Sequence, residues 1–517
     1  MKYRNPIIPG FYPDPSVCRT GDDYYLVNSS FEFFPGVPLY HSRDLVDWKQ
    51  MGYVLTRDSQ LPLQKAATSL GIFAPTIRYH EGRFYMITTN MDPLNSGSPT
   101  HNFIVWTDDI NGEWSEPFPV DHDGSDPSLF WDEDGRCYYS GTAFGPDGQG
   151  IGVFEIDPDT GKKLGETKIV WHGTGGSSPE GPHLYKKDGM YYLMIAEGGT
   201  EYGHMETIAR SKSVWGPYES CPHNPIVTHR DYTPDYARMG DPSFVDIRCV
   251  GHADMVDDPD GNWWLVLHGV RTSQSQLHHV GRETMLVPMK WVDGWPVVND
   301  GKLLDAVMEG PGEAAQTMPD GFAKQNDFRF EEDFTKEDRL PVRWSWLRNP
   351  VRENYTFEDG LVLTAGEGTL DGALGFPTFA GVRQRQMVSE AETEVCFDPE
   401  SETAQAGITV FHTNERHYDL MITRRDGKRC AVLYRVASDL SAESAPVFLP
   451  EEGPVALKIA ADKLKYEFYA NGEKVGQGST QLMSTEATPG TFTGCFFGIF
   501  CQGEPGAQAK FTRFSVK

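Results

Sequence analysis

The sequence predicts an all-β chain, a five-bladed β-propeller followed by a β-sandwich of jelly-roll type, and three observations predict it. Aromatics make up 12% of the 517 residues, and 53 glycines and 36 prolines accompany them, a mixture that favours short strands and turns over long helices. A hairpin signal recurs five times through the first half. Past residue 327 that recurrence stops, and alternating apolar and polar runs take over.

The recurring unit is a turn residue followed by an aromatic or apolar run. It appears as Asp22-Asp23-Tyr24-Tyr25, Gly82-Arg83-Phe84-Tyr85, Gly135-Arg136-Cys137-Tyr138, Gly189-Met190-Tyr191-Tyr192 and Gly261-Asn262-Trp263-Trp264. Glu81, Asp134, Asp188 and Asp260 precede the four glycines, completing Asp-Gly or Glu-Gly turns. Spacings of 60, 53, 54 and 72 residues, all strand and turn, match one four-stranded blade per repeat. Counting back eight or nine residues from each turn gives Asp14, Phe73, Asp126, Glu180 and His252. Each is expected at the start of an innermost strand, where the blades surround one central pocket. Proline marks the same places, in Asp14-Pro15-Ser16, Ala74-Pro75-Thr76, Asp126-Pro127-Ser128 and Glu180-Gly181-Pro182. Asp241-Pro242-Ser243 is similar but off the offset, so Asp241 is read as a structural turn residue.

The bulk properties bound the partners. A chain this long exceeds one core, so at least two domains are expected: a propeller over residues 1–305, a linker over 306–326 and a sandwich over 327–517. A net charge of −28 argues against nucleic acid or an anionic membrane as partner and suits a neutral ligand such as a sugar. No run approaches the ~20 apolar residues of a membrane span. Eight scattered cysteines without a Cys-x-x-Cys pair read as free thiols, and the first residues lack a secretory apolar core, so a cytoplasmic location is expected.

Three carboxylates converging in a partly dry pocket push one another's pKa values apart, leaving one ionised and another protonated. That pairing of base and acid is what glycoside hydrolysis needs. A sugar-binding propeller without catalysis is the alternative reading, but it would have no use for a protonated acid.

Pro13-Asp14-Pro15-Ser16, Ser125-Asp126-Pro127-Ser128-Leu129-Phe130 and Glu180-Gly181-Pro182-His183-Leu184-Tyr185 resemble, in order, the three signature segments of glycoside hydrolase family 43. The resemblance runs over roughly the first 300 residues. It implies a five-bladed propeller acting with inversion on terminal α-L-arabinofuranosyl or β-D-xylosyl groups of oligosaccharides. Asp14 would be the general base, Glu180 the general acid, and Asp126 the group that tunes the acid and orients substrate. It also implies Phe31 (in Ser29-Ser30-Phe31-Glu32) and Phe73 as pocket aromatics, Arg282 as a sugar-hydroxyl donor, and His252 as a residue beneath the site that approaches a structural calcium in some members; no cofactor is needed for the chemistry. Phe73 stands where many relatives have tryptophan, Thr76 where they often have aspartate, and Gly176-Ser177-Ser178-Pro179 departs from the usual approach to the acid. The lean is to arabinofuranosyl removal with xylosidase side activity.

Gly360-Leu361-Val362-Leu363-Thr364, Thr393-Glu394-Val395-Cys396-Phe397 and Ala456-Leu457-Lys458-Ile459-Ala460 carry the sandwich pattern and resemble the domain appended to xylosidase-type members. In those members a sandwich loop can close one side of the pocket. Phe492 is the candidate for that, although a core aromatic is the expected role.

Overall fold

The computed structural model describes residues 2–93, 100–233, 245–273, 277–311, 318 and 321–517. Five antiparallel sheets built from consecutive stretches of chain form the first half. The strands Ser16–Thr20, Thr76–His80, Ser128–Trp131, Glu180–Lys187 and Asp246–Asp257 each run into the hairpin that its turn signal marks. Gly82, Gly135, Gly189 and Gly261 all have positive φ, the left-handed geometry these turns require. Asp241 lies outside the described residues.

Among the described residues the first and last blades share no strand, and Ile8, ahead of blade one, bridges to Thr284 of blade five. Lys2–Arg4 pairs with Val307–Glu309, a strand inside the expected linker. Tyr3 Oη and Asn5 Nδ2 donate to the Leu286 carbonyl at 2.7 and 2.9 Å, fastening the chain start to blade five. At the centre of the ring, Asp254 of blade five accepts from Ser16 Oγ and Val17 N of blade one, Arg78 of blade two and Tyr185 Oη of blade four, at 2.6 to 3.0 Å. Burial works to raise the Asp254 carboxyl, but Arg78 beside it holds it far below the usual range.

The second half is two facing sheets of eight and nine strands among the described residues, with an apolar core between them that includes Trp344, Phe468, Phe497 and Phe511. Alternation is clean in Ser389–Cys396 and Val455–Ala461, one face buried and the other half-exposed. The nine-stranded sheet ends on a strand of the propeller: Phe33–Phe34 pairs with Trp344–Leu347. Phe11, Phe31 and Phe33 of the propeller and Phe379, Phe411 and Phe496 of the sandwich share one buried cluster, so the two domains have a common apolar seam.

Candidate active site

Asp14 and Asp126 each stand two residues before an innermost strand, and Glu180 is the first residue of one. Asp14 and Asp126 both have positive φ (52° and 55°), a geometry uncommon for a residue with a side chain, which turns each carboxyl toward the axis before its strand begins. His252 departs from the expected position. It lies in the middle of Asp246–Asp257, because two register shifts around Gly251, with Cys249 and His252 at φ near 54°, bulge the strand inward. Glu206 Oε2 accepts from Ala253 N at 3.0 Å and fixes that bulge. The outcome is the expected convergence: oxygens of Asp126 and Glu180 and a His252 nitrogen lie within 4.8 Å of one another, and so do those of Asp14, His252 and His268.

Asp14 is buried and heavily clamped. Ser29 Oγ donates to Oδ2 at 2.5 Å, Arg282 Nη1 to Oδ1 at 2.7 Å and Arg282 Nη2 to Oδ2 at 3.4 Å. His268 Nδ1 stands 3.0 Å from Oδ1. Arg282 also donates to Thr200 Oγ1 at 3.1 Å, and that hydroxyl stands 3.3 Å from His268 Nε2. The Asp14 backbone N–H stands 3.2 Å from His268 Nδ1, so the ring is held against both the carboxyl and the backbone of Asp14. Burial would raise the Asp14 carboxyl; Arg282 outweighs it and holds Asp14 well below the usual carboxylate range. His268, buried, is pushed down to about 3 and stays neutral.

Asp126 and Glu180 are the reverse. Burial, then the neighbouring Glu180 and Asp14 charges, raise Asp126 well above its ordinary value. Burial and Asp14 raise Glu180 to about 7, against the pull of Arg282. Two carboxyls this close, with Asp14 already ionised, hold a proton between them at neutral pH. The N–H of Gly181, directly after Glu180, is turned toward the Asp126 carboxyl and pulls it down against that rise.

The aromatics form one wall. Phe31, buried at φ 48°, packs on half-exposed Phe73 at 5.4 Å and on Phe492 at 5.8 Å between ring centres. Phe492 packs against the buried aromatic cluster, as a core aromatic would, and also lines a cavity beside Thr200 and Arg282. Ser69 Oγ accepts from its backbone N–H at 2.8 Å, and its carbonyl accepts from Arg282 Nη2 at 3.5 Å. Gly494 lets this sandwich loop reach the propeller, since a Cβ there would stand 2.4 Å from the Val280 carbonyl oxygen. Arg282, read in the sequence as a hydroxyl donor, spends its guanidinium mainly on Asp14. The neighbouring Glu283 pairs with Arg271 instead, at 2.7 Å.

The calcium expectation at His252 meets a poor donor set. Calcium takes six to eight oxygens, whereas His252 brings a nitrogen, Asp14 is committed to Arg282, and an ion on Asp126 and Glu180 would displace the acid's proton. The channel below already holds a cation, Arg78.

Sequence reasoning missed Ser29, Thr200 and His268. Two carried a signal: Asn28-Ser29-Ser30 is a polar run after the apolar strand Asp23–Val27, and His268 interrupts Leu265-Val266-Leu267 in a strand buried almost throughout.

Residues 3–296 match the family model described as glycosyl hydrolases family 43, and residues 331–517 match the β-xylosidase C-terminal concanavalin A-like domain. The chain is 39% identical to the non-reducing end α-L-arabinofuranosidase of Bacteroides ovatus over 98% of its own length and 92% of that protein. It is 38% identical to a xylosidase/arabinosidase of Butyrivibrio fibrisolvens, covering 99% and 98% of the two chains. The solved structure described as Bacteroides ovatus xyloglucan PUL GH43B superposes with a TM-score of 0.90 at 36% identity, over all of both chains. With both halves matched and the carboxyls gathered at one pocket, the chain belongs to glycosyl hydrolase family 43.

Proposed function

We propose that this glycosidase removes single terminal pentosyl groups, α-L-arabinofuranosyl first and β-D-xylosyl second, from hemicellulose-derived oligosaccharides, with inversion. The observation that carries it is the opposite setting of two carboxyls at one site: Asp14 is clamped by Ser29 and Arg282, whereas Glu180, with no side-chain donor among the described residues, is raised to about 7 by burial and Asp14. Asp14 takes a proton from a water molecule as its oxygen attacks the anomeric carbon. Glu180 gives its proton to the glycosidic oxygen on the opposite side as that C–O bond breaks. Asp126, close to Glu180, shares a proton with it and keeps the acid supplied until the leaving oxygen needs it. Half-buried Phe73 and Phe492, backed by buried Phe31, offer apolar surface for the pentose. Phe492 closes one side, which favours chain ends over internal linkages. Order between the two pentoses follows the arabinofuranosidase relative at 39% identity. The eight unpaired cysteines support a reducing, cytoplasmic compartment.

The test is kcat/KM on 4-nitrophenyl α-L-arabinofuranoside and β-D-xyloside, with proton NMR of the first-released anomer. Hydrolysis of both, arabinoside faster, with the inverted anomer appearing first, is the expected result. Retained configuration, or equal activity in the Glu180→Gln variant, would overturn the assignment of roles.

A further inference from the structure

Glu180 has no hydrogen-bond partner for its own carboxyl among the described residues, so the backbone on either side must place it. Downstream, Glu180 enters the strand Glu180–Lys187 opposite Ala196 of the strand Met190–Glu197. Upstream, residues 172–179 lead from the strand Lys168–Trp171 to the acid, and a second carboxyl sits inside that loop. Glu197, the last residue of Met190–Glu197, is fully buried. Its Oε1 accepts from Thr174 N at 2.5 Å and Thr207 Oγ1 at 3.3 Å, and its Oε2 from Thr174 Oγ1 at 2.7 Å and Gly176 N at 3.1 Å. Four donors and no acceptor match an ionised carboxylate, which only accepts.

The loop is shaped around this group. A Cβ on Gly173 would fall 1.9 Å from Glu197 Oε1, and one on Gly176 would fall 2.8 Å from Oε2, so glycine is needed where the backbone wraps the anion. One residue further, Gly198 N donates to the Ser177 carbonyl at 2.7 Å and carries the same hold to within three residues of the acid. This is the segment where the sequence departs from the usual approach to Glu180.

We propose that Glu197 is a positioning residue for the acid: the buried anion around which residues 173–176 fold, and so the group that sets where the Glu180 proton meets the glycosidic oxygen. The inference rests on Glu180 being the general acid. A misplacement of about 1 Å at a reacting group can cost 10²-fold, and the loss falls only on the step the group serves. An arylpentoside with a poor leaving group, such as phenol, needs the acid's proton; 2,4-dinitrophenolate departs without it.

The experiment compares kcat/KM for phenyl and 2,4-dinitrophenyl arabinofuranosides in the wild type, Glu197→Gln, Thr174→Val and Glu180→Gln. Gln at 197 turns an NH2 against a ring of donors, whereas Val at 174 removes one donor with little change of shape. The expected result is a loss of about 10²-fold for Glu197→Gln and about tenfold for Thr174→Val on the phenyl substrate, with both within about threefold of wild type on the dinitrophenyl one. Equal losses on the two substrates, or no loss, in Glu197→Gln would overturn the proposal; if that variant does not fold, Thr174→Val decides by the same criterion. Glu180→Gln separates the layers: without leaving-group selectivity there, the acid assignment itself fails, whereas selectivity there but not at 197 and 174 removes Glu197 alone.

Discussion

Blades one and four set a carboxyl at the same rim of the same pocket and treat it in opposite ways. Asp14 is buried and Glu180 half-buried, and for both burial is the largest influence, pushing the pKa up. Asp14 escapes because Ser29 and a two-armed Arg282 aim donors at it, with His268 Nδ1 3.0 Å away. Glu180 receives none among the described residues, and Asp14's own charge raises it further. Burial therefore does not choose between base and acid here. The placement of one guanidinium does, and the acid's proton is in part a consequence of the base having lost its own.

Replacing Asp14 attacks the comparison at its root. Asp14→Asn is expected to cost about 10⁴-fold in kcat, the upper range for a lost general base, and to lower the Glu180 pKa because a neighbouring charge is gone; pH–rate profiles check both. Glu180→Gln should cost about 10³-fold on substrates with poor leaving groups. It should also erase the alkaline limb, which in the wild type has kcat/KM falling as pH rises through about 7, where the acid ionises. Arg282→Met is expected to cost about 10²-fold, and its signature is an acidic limb: with burial unopposed the Asp14 carboxyl rises, so activity falls with decreasing pH at a higher pH than in wild type. Phe492→Ala leaves the carboxyl chemistry in place and should raise KM by about tenfold with kcat little changed, the loss of one buried aromatic face.

The sandwich supplies a control of opposite sign. Burial disfavours the His417 imidazolium, but Asp419 at 2.9 Å and Asp371 at 3.4 Å outweigh it and raise His417 to about 9. A raised basic group stabilises the fold fully below its unfolded value of about 6.5, and that contribution is lost as pH rises through about 9. His417→Gln should leave kcat/KM unchanged and flatten the fall of Tm between those pH values.

Much of this was legible. The turn spacing located all five blades, and the common offset from each turn found the three carboxyls, because a hairpin fixes how far back its first strand begins. The offset erred at His252, where bulges lengthen the strand to Asp246–Asp257, and a bulge has no fixed sequence cost to read. Arg282 was legible as a site residue but not in its target, since the bond to Asp14 spans 268 positions of chain. Phe492 was legible only in part, for the same reason from the other domain: nothing local to Thr491-Phe492-Thr493 says whether a ring meets its own core, a neighbour's pocket or both. Thr200 gave no signal at all, one hydroxyl among the polar residues of a hairpin tip.

The Phe33–Phe34 strand, borrowed from the first half to finish the second half's sheet, means the boundary between domains is not a place where the gene can be cut. A catalytic half expressed alone would present bare peptide groups along that edge beside a greasy flank, an invitation to stick to its own copies. Substrate preference and solubility are therefore inherited together, and any graft of a new sandwich onto this catalyst must bring a matching edge with it.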